Sequence, residues 1–125
     1  MSKTAIVVFS DPKAGSEEAL GRLFNALFLT SELKEKGQEV ALIFQGAGTR
    51  WPAEVTRLAH PANGLYLSVA DKVVGVCGGC ADVFGATDGV NATGLTLVRE
   101  KQIPGMGGVL DLSRYLDQGH RLVAF

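Results

Sequence analysis

The sequence of 125 residues has only two cysteines, no long apolar run and no excess of one charge. Two cysteines are too few for the disulfide framework of a small secreted protein. The longest unbroken apolar runs, such as residues 5–9, span about five residues, whereas a membrane helix needs about 20. Twelve basic residues against thirteen acidic ones, with no basic block, argue against binding to nucleic acid.

The N-terminal segment also lacks a secretory signal, which requires an apolar stretch of roughly 7–15 residues before its cleavage site. We therefore expect the protein in the cytoplasm. In a reducing compartment, a close pair of cysteines is more often redox-active or metal-binding than structural. Apolar residues make up 46% and charged residues 20%, which is typical of a soluble globular protein, and the length indicates one domain over residues 1–125.

Short apolar segments alternate with segments of helical periodicity. Strands are predicted at residues 4–9, 39–44, 72–76 and 121–125, with a short extended piece at 102–104. Helices are predicted at residues 16–36, 53–59, 81–85, 90–100 and 107–117, with a helical or irregular segment at 65–70. This alternation predicts a single-domain, three-layer α/β fold of the flavodoxin-like or Rossmann-like type. It has an open, mostly parallel sheet of about five strands, with helices on both faces.

In such a sheet, ligands bind beyond the carboxyl ends of the strands, near the point where the strand order reverses. That rule brings several loop residues to one edge: Ser10, Asp11, Gln45, Gly46, Cys77 and Pro104. Asp11 is interpreted first as a turn residue that binds its own backbone, and alternatively as a polar wall of the site. Gly46 and Gly48 follow a strand but lack the remaining features of a dinucleotide fingerprint. They therefore indicate a tight turn that helps to shape the site.

The most informative motif is Cys77-Gly78-Gly79-Cys80. Cys77 falls where a strand passes into a helix, and the unpaired N–H groups at a helix start favour a thiolate. Because Gly78 and Gly79 have no Cβ, their N–H groups can approach an anionic sulfur or persulfide closely. Cys80, one turn later, is placed to resolve an intermediate by forming a disulfide. The alternative is that both cysteines are small buried hydrophobic residues.

A zinc site is not predicted, because a structural zinc needs four ligands and only His60 and His120 remain as imidazoles, at no recognisable spacing from the cysteines. No cofactor is predicted either.

The sequence resembles the DsrE/DsrF-like family, which comprises small α/β proteins of sulfur metabolism. The resemblance spans nearly the whole chain, including the Asp-Pro loop, the long Leu/Phe helix ending at Lys-Gly, the turn at residues 44–49, and Val76-Cys77 before a Gly/Ala-rich helix. It implies that Cys77 forms a persulfide and that the protein is an oligomer of the kind usual in the family, a homo-oligomer or hetero-oligomer that is often trimeric or hexameric, of which we expect the homo-oligomer. It also implies sulfur donor and acceptor proteins as partners. Cys80 is an addition to the common relay pattern.

Three functions follow from these observations. The first is a sulfur carrier or sulfurtransferase-like protein that accepts and passes on sulfane sulfur at Cys77; whether it is an enzyme is left open. The second is a thiol–disulfide redox protein that uses Cys77 and Cys80. The third is a non-enzymatic module that binds a small ligand or a partner. The predicted reactive residues are Cys77 and Cys80, and the predicted binding residues are Ser10, Asp11, Gln45, Gly46, Gly48, Gly78 and Gly79.

Overall fold

A computed structural model describes residues 2–125 and contains one five-stranded parallel sheet. Its strands are β1 (Lys3–Val8), β2 (Glu39–Phe44), β3 (Val73–Cys77), β4 (Leu97–Val98) and β5 (Arg121–Ala124). The strand order is β4-β3-β2-β1-β5, so the order reverses beside β1. Cys77, at the end of β3, lies two strands away from that reversal.

Within residues 2–125, six α-helices lie between the strands. They are α1 (Glu17–Glu35), α2 (Trp51–Val55), α3 (Asn63–Val69), α4 (Gly78–Val83), α5 (Thr87–Thr93) and α6 (Leu112–Asp117). Three 3₁₀ segments precede α1, α2 and β3: Pro12–Ala14, Gly46–Arg50 and Ala70–Lys72. None of the helices within residues 2–125 is both long and apolar enough to span a membrane.

The long helix α1 begins and ends at residues suited to those positions. The Ser16 side chain accepts a hydrogen bond from Ala19 N–H (3.1 Å), which satisfies one of the unpaired donors of the first turn. Glu17 and Glu18 lie in that first turn, where negative charge is favourable. After the helix, Gly37 has a φ of +71°, a conformation that glycine adopts without steric cost.

The two faces of the sheet are covered unequally. Ile6 and Val8 of β1 belong to a large core beneath α1, α2, α3 and α5. The alternate residues Ala5 and Val7 belong to a smaller core on the opposite face, which also contains Cys77. That second face is covered by α6 and by residues 99–111, which we call the strap. Helices on both faces confirm the predicted three-layer α/β architecture.

Several predicted boundaries were wrong. The helix predicted at 53–59 is α2, which ends at Val55. The predicted helix at 90–100 is instead α5 followed by the short strand β4, which pairs with β3. The helix predicted at 107–117 is confined to α6. The segment before it is the irregular strap, in which Lys101 and Val109 form an isolated antiparallel bridge.

Candidate functional site

Cys77 ends β3 and caps the N-terminus of α4, in an extended conformation (φ −61°, ψ 118°). Its side chain is completely buried, at 0% exposure, in the smaller core. The Cys80 N–H donates to Cys77 Sγ at 3.4 Å, and the N–H groups of Gly79 and Leu110 also act on this sulfur. The buried sulfur therefore has backbone donors from both α4 and the strap.

The two cysteine sulfurs are hydrogen-bonded to each other, with the Cys80 thiol as donor and Cys77 Sγ as acceptor. This bond is the main reason why the pKa of Cys77 is lowered from 9.0 to about 6. Burial of the sulfur opposes this shift, and the backbone N–H groups add to it. The same bond, together with burial, raises the pKa of Cys80. The pair therefore favours a thiolate at Cys77 and a thiol at Cys80.

The sequence predicted that unpaired N–H groups at a helix start favour this thiolate, and the Cys80 N–H in the first turn of α4 is such a donor. Two further donors were not predicted, namely the Cys80 thiol and a backbone N–H of the strap. One of these belongs to Leu110, 33 positions along the chain from Cys77, and sequence reasoning missed it. Cys80 itself is half-buried, and the Gly46 N–H acts on its sulfur.

Gly78 and Gly79 allow the strap to pack against the start of α4. A Cβ at Gly78 would lie 2.5 Å from Arg99 Cγ, and a Cβ at Gly79 would lie 2.7 Å from Val109 Cγ1. The Gly79 N–H donates to Gly108 O of the strap at 2.7 Å. The predicted role of both glycines in holding a bound sulfur stays a prediction.

Arg99 fastens the strap to α4, and sequence reasoning missed it because residues 90–100 were predicted as a helix. Its guanidinium group donates to both carboxylate oxygens of Asp82, at 2.7 and 3.0 Å. It also donates to Gly107 O at 3.1 Å. Hydrogen bonds to Arg99 and Thr87 lower the pKa of Asp82 to about 2.

Gln45 directly follows β2, the strand that pairs with the strand ended by Cys77. In the β2–β3 register Ile43 pairs with Gly75 and Phe44 with Val76, so the next step brings Gln45 level with Cys77. Gln45 is extended and therefore continues the alternation of β2, with its side chain on the same face as Ile43. Its exposure is 9%, and within residues 2–125 its Oε1 has no hydrogen-bond partner.

Ser10 and Asp11 bind residues other than the cysteines. Both the carbonyl and the hydroxyl oxygen of Ser10 accept hydrogen bonds from Trp51 Nε1, at 2.8 and 3.1 Å. Asp11 accepts from Lys13 N–H at 2.9 Å, as the turn interpretation predicts. It also pairs with Arg50, at 3.0 and 3.1 Å. These contacts fix the end of β1 to the segment that follows β2.

Gly46 and Gly48 shape the 3₁₀ segment beside the cysteines. Gly46 has a φ of +56°, a conformation that L side chains rarely adopt. At Gly48 the chain passes so close to β1 that a Cβ would lie 2.1 Å from Val8 O. The predicted tight turn is therefore a 3₁₀ segment that requires glycine for two different reasons.

A cavity elsewhere in the described structure and the arrangement of potential metal ligands add no residue to this site. A cavity of about 340 Å³ is lined partly by Ser16, Trp51 and His60, and none of the predicted site residues lines it. Within residues 2–125, no three His, Cys, Asp or Glu side chains are grouped as metal ligands would be.

A sequence model of the DsrE/DsrF-like family matches residues 3–125. The chain belongs to this family. It is similar to an uncharacterized protein of Methanocaldococcus jannaschii, MJ0733, with 31% identity over 101 residues, which is 81% of this chain and 78% of that protein. It is also similar in fold to BT1422, a conserved protein of unknown function from Bacteroides thetaiotaomicron. The TM-score is 0.61 at 16% identity, covering 98% of this chain and 95% of that one. Family membership is consistent with a general role in sulfur relay.

Proposed function

We propose that this DsrE/DsrF-like protein is a sulfur carrier, in which Cys77 accepts sulfane sulfur as a persulfide and passes it to an acceptor. The observation that carries the proposal is the hydrogen-bonded state of Cys77 Sγ, which favours a thiolate at neutral pH. The thiolate is the nucleophilic form of cysteine. Family membership supports sulfur relay in general and leaves the transfer step to experiment.

The transfer is a redox-neutral exchange between persulfide and thiolate. The Cys77 thiolate attacks the outer sulfur of a donor persulfide, R–S–SH. A new S–S bond forms at Cys77, the S–S bond of the donor breaks, and the donor leaves as a thiolate that takes up a proton. The reverse exchange passes the sulfur to the thiolate of an acceptor.

Because Cys77 is completely buried beside Val109 and Leu110 of the strap, we assign to the strap the opening that lets a donor reach it. Donor and acceptor proteins, and assembly into a trimer or hexamer, stay predictions from the family resemblance. Cytoplasmic location stays a prediction as well.

Mass spectrometry after incubation with a persulfide donor tests the proposal. We expect an adduct of about 32 Da on wild-type protein, mapped to Cys77 and absent in Cys77→Ser. A Cys77 that stays unmodified under saturating donor would overturn the proposal.

A dithiol redox protein is the second candidate, and the hydrogen bond from Cys80 N–H to Cys77 Sγ, which holds the two cysteines together in the first turn of α4, favours it. We expect the pair to form a disulfide in a glutathione buffer poised near about −200 mV. If both thiols stay reduced there, the second candidate is excluded.

A further inference from the structure

The position of Cys80 relative to Cys77 suggests a further reaction of the same site. The Cys80 N–H donates to Cys77 Sγ at 3.4 Å across the first turn of α4, and the Cys80 side chain packs against the same small core that contains Cys77. In a persulfide formed at Cys77, Sγ is the inner sulfur. A Cys-x-x-Cys pair at the start of a helix is also the arrangement in which thiol–disulfide exchange proteins form their disulfide.

We propose that Cys80 attacks the inner sulfur of the Cys77 persulfide and releases the outer sulfur as hydrogen sulfide. This inference rests on the proposed function, because it requires a persulfide at Cys77. It makes the protein a persulfide reductase in addition to a carrier.

The atoms balance without an added oxidant. A bond forms between the Cys80 and Cys77 sulfurs, and the bond between Cys77 Sγ and the outer sulfur breaks. The outer sulfur leaves with its bonding electron pair and takes up the proton that Cys80 gives up. The products are H₂S and a Cys77–Cys80 disulfide, which a dithiol reductant returns to two thiols.

The contacts of Cys80 explain why its thiol becomes nucleophilic only after the persulfide has formed at Cys77. In the unloaded protein, the Cys80 proton is held by the Cys77 thiolate. Once Cys77 Sγ is bonded to a second sulfur, it carries no negative charge and no longer holds that proton. The Gly46 N–H, which acts on the Cys80 sulfur, then stabilises the Cys80 thiolate as it forms.

The experiment follows the decay of a preformed adduct. Wild-type protein, Cys80→Ser and Cys80→Ala are loaded with glutathione persulfide until equal fractions carry the adduct, and excess donor is removed by gel filtration. Free sulfide is measured with a sulfide-selective probe while intact mass is recorded. Ser keeps a hydroxyl donor towards Cys77 and Ala removes it, so the two variants separate loss of the sulfur from loss of the hydrogen bond.

We expect wild-type protein to release one sulfide per adduct and to end about 2 Da lighter than the reduced protein, as a disulfide requires. Both variants should retain the adduct, with sulfide release slowed at least tenfold. An equally stable adduct in all three proteins would overturn this inference and leave the carrier function intact. Failure of Cys80→Ser and Cys80→Ala to acquire the adduct, with no sulfide released by wild-type protein, would overturn both.

Discussion

Gln45, the residue after β2, lies level with Cys77 when the β2–β3 register is continued by one step, and its buried carboxamide oxygen has no partner within the described part of the chain. A buried polar atom without a partner costs about 1–3 kcal/mol. We propose that the unpaired oxygen of Gln45 accepts the S–H of an incoming persulfide.

We predict that Gln45→Met raises the melting temperature by about 2–6 °C, because it replaces the unpaired oxygen with an apolar group of similar length. The same change should slow the formation of the Cys77 persulfide severalfold, because the S–H acceptor is lost. Thermal unfolding and the rate of adduct formation measure the two effects.

The matched control is Gln38→Met. Oε1 of Gln38 is also buried without a partner in the described chain, but Gln38 precedes β2, at the opposite edge of the sheet. Its substitution should raise stability without changing the rate of loading. Equal loading rates in both variants would show that Gln45 does not bind the sulfur.

The strap is predicted to limit access to Cys77 through the ion pair between Arg99 and Asp82. We expect Asp82→Asn to increase the alkylation rate of Cys77 by iodoacetamide severalfold, because the bidentate contact that fastens the strap is weakened. Peptide mapping measures this rate separately from that of Cys80.

An ion pair outside the strap provides the control for that experiment. Lys34 and Asp71 also approach to 2.7 Å. Asp71→Asn should leave the alkylation of Cys77 unchanged. If both variants accelerate it equally, general loosening of the protein explains the effect and gating by the strap is refuted.

The cysteine pair predicts a specific dependence of stability on pH. The folded-state pKa of Cys77 is lowered to about 6, whereas its pKa in the unfolded chain is near 9.0. Its contribution to the free energy of unfolding is therefore fully present above pH 9.0 and is lost as the pH falls towards 6. The pKa of Cys80 is raised in the folded protein, so the pH dependence of its contribution is opposite. This contribution to the free energy of unfolding is present below the pKa of Cys80 in the unfolded chain and is lost at higher pH.

The contribution of the pair to the free energy of unfolding should therefore rise between about pH 6 and pH 9 and fall above it. Denaturant unfolding of wild-type protein and Cys77→Ala across this range isolates the effect, because the other titrating groups are shared. A difference between the two proteins that does not vary with pH would refute the thiolate assignment.

Close packing at Gly48 predicts a large loss of stability on substitution. A Cβ there would lie 2.1 Å from Val8 O, and neither backbone segment can yield without disturbing the sheet. We expect Gly48→Ala to lower the free energy of unfolding by more than about 3 kcal/mol.

Gly21→Ala, in the interior of α1, is the matched control. A Cβ at Gly21 meets nothing within 4 Å, so this change should stabilise the protein by about 0.5–1 kcal/mol. Denaturant unfolding compares the two variants. A loss of less than about 1 kcal/mol in Gly48→Ala would show that the loop readily adjusts.

The architecture could be predicted from the sequence where the decisive signals are local. β2 was predicted with its observed bounds, since a β-branched apolar run ends at a glycine-rich turn. The position of Cys77 between a strand and a helix was predicted in the same way. β4 was missed because two residues carry no periodicity of their own, and its pairing with β3 depends on the tertiary structure.

The contacts that surround the two cysteines could not be predicted from the sequence and became known only from the structure. The Leu110 N–H reaches Cys77 only because the strap folds back over the sheet. The pairing of Arg99 with Asp82 depends on the same path of the chain. No local pattern in residues 99–111 indicates either contact.

The contact between Leu110 and Cys77 couples the burial of the Cys77 sulfur to its nucleophilicity. The segment that hides the sulfur also supplies one of the donors that keep it ionised. When that segment lifts, the sulfur loses a donor and becomes more basic, and thiolates of higher basicity attack sulfur faster. In the closed protein the Cys77 thiolate is therefore a weaker nucleophile. The same movement of the strap that admits a reaction partner also makes this thiolate more nucleophilic.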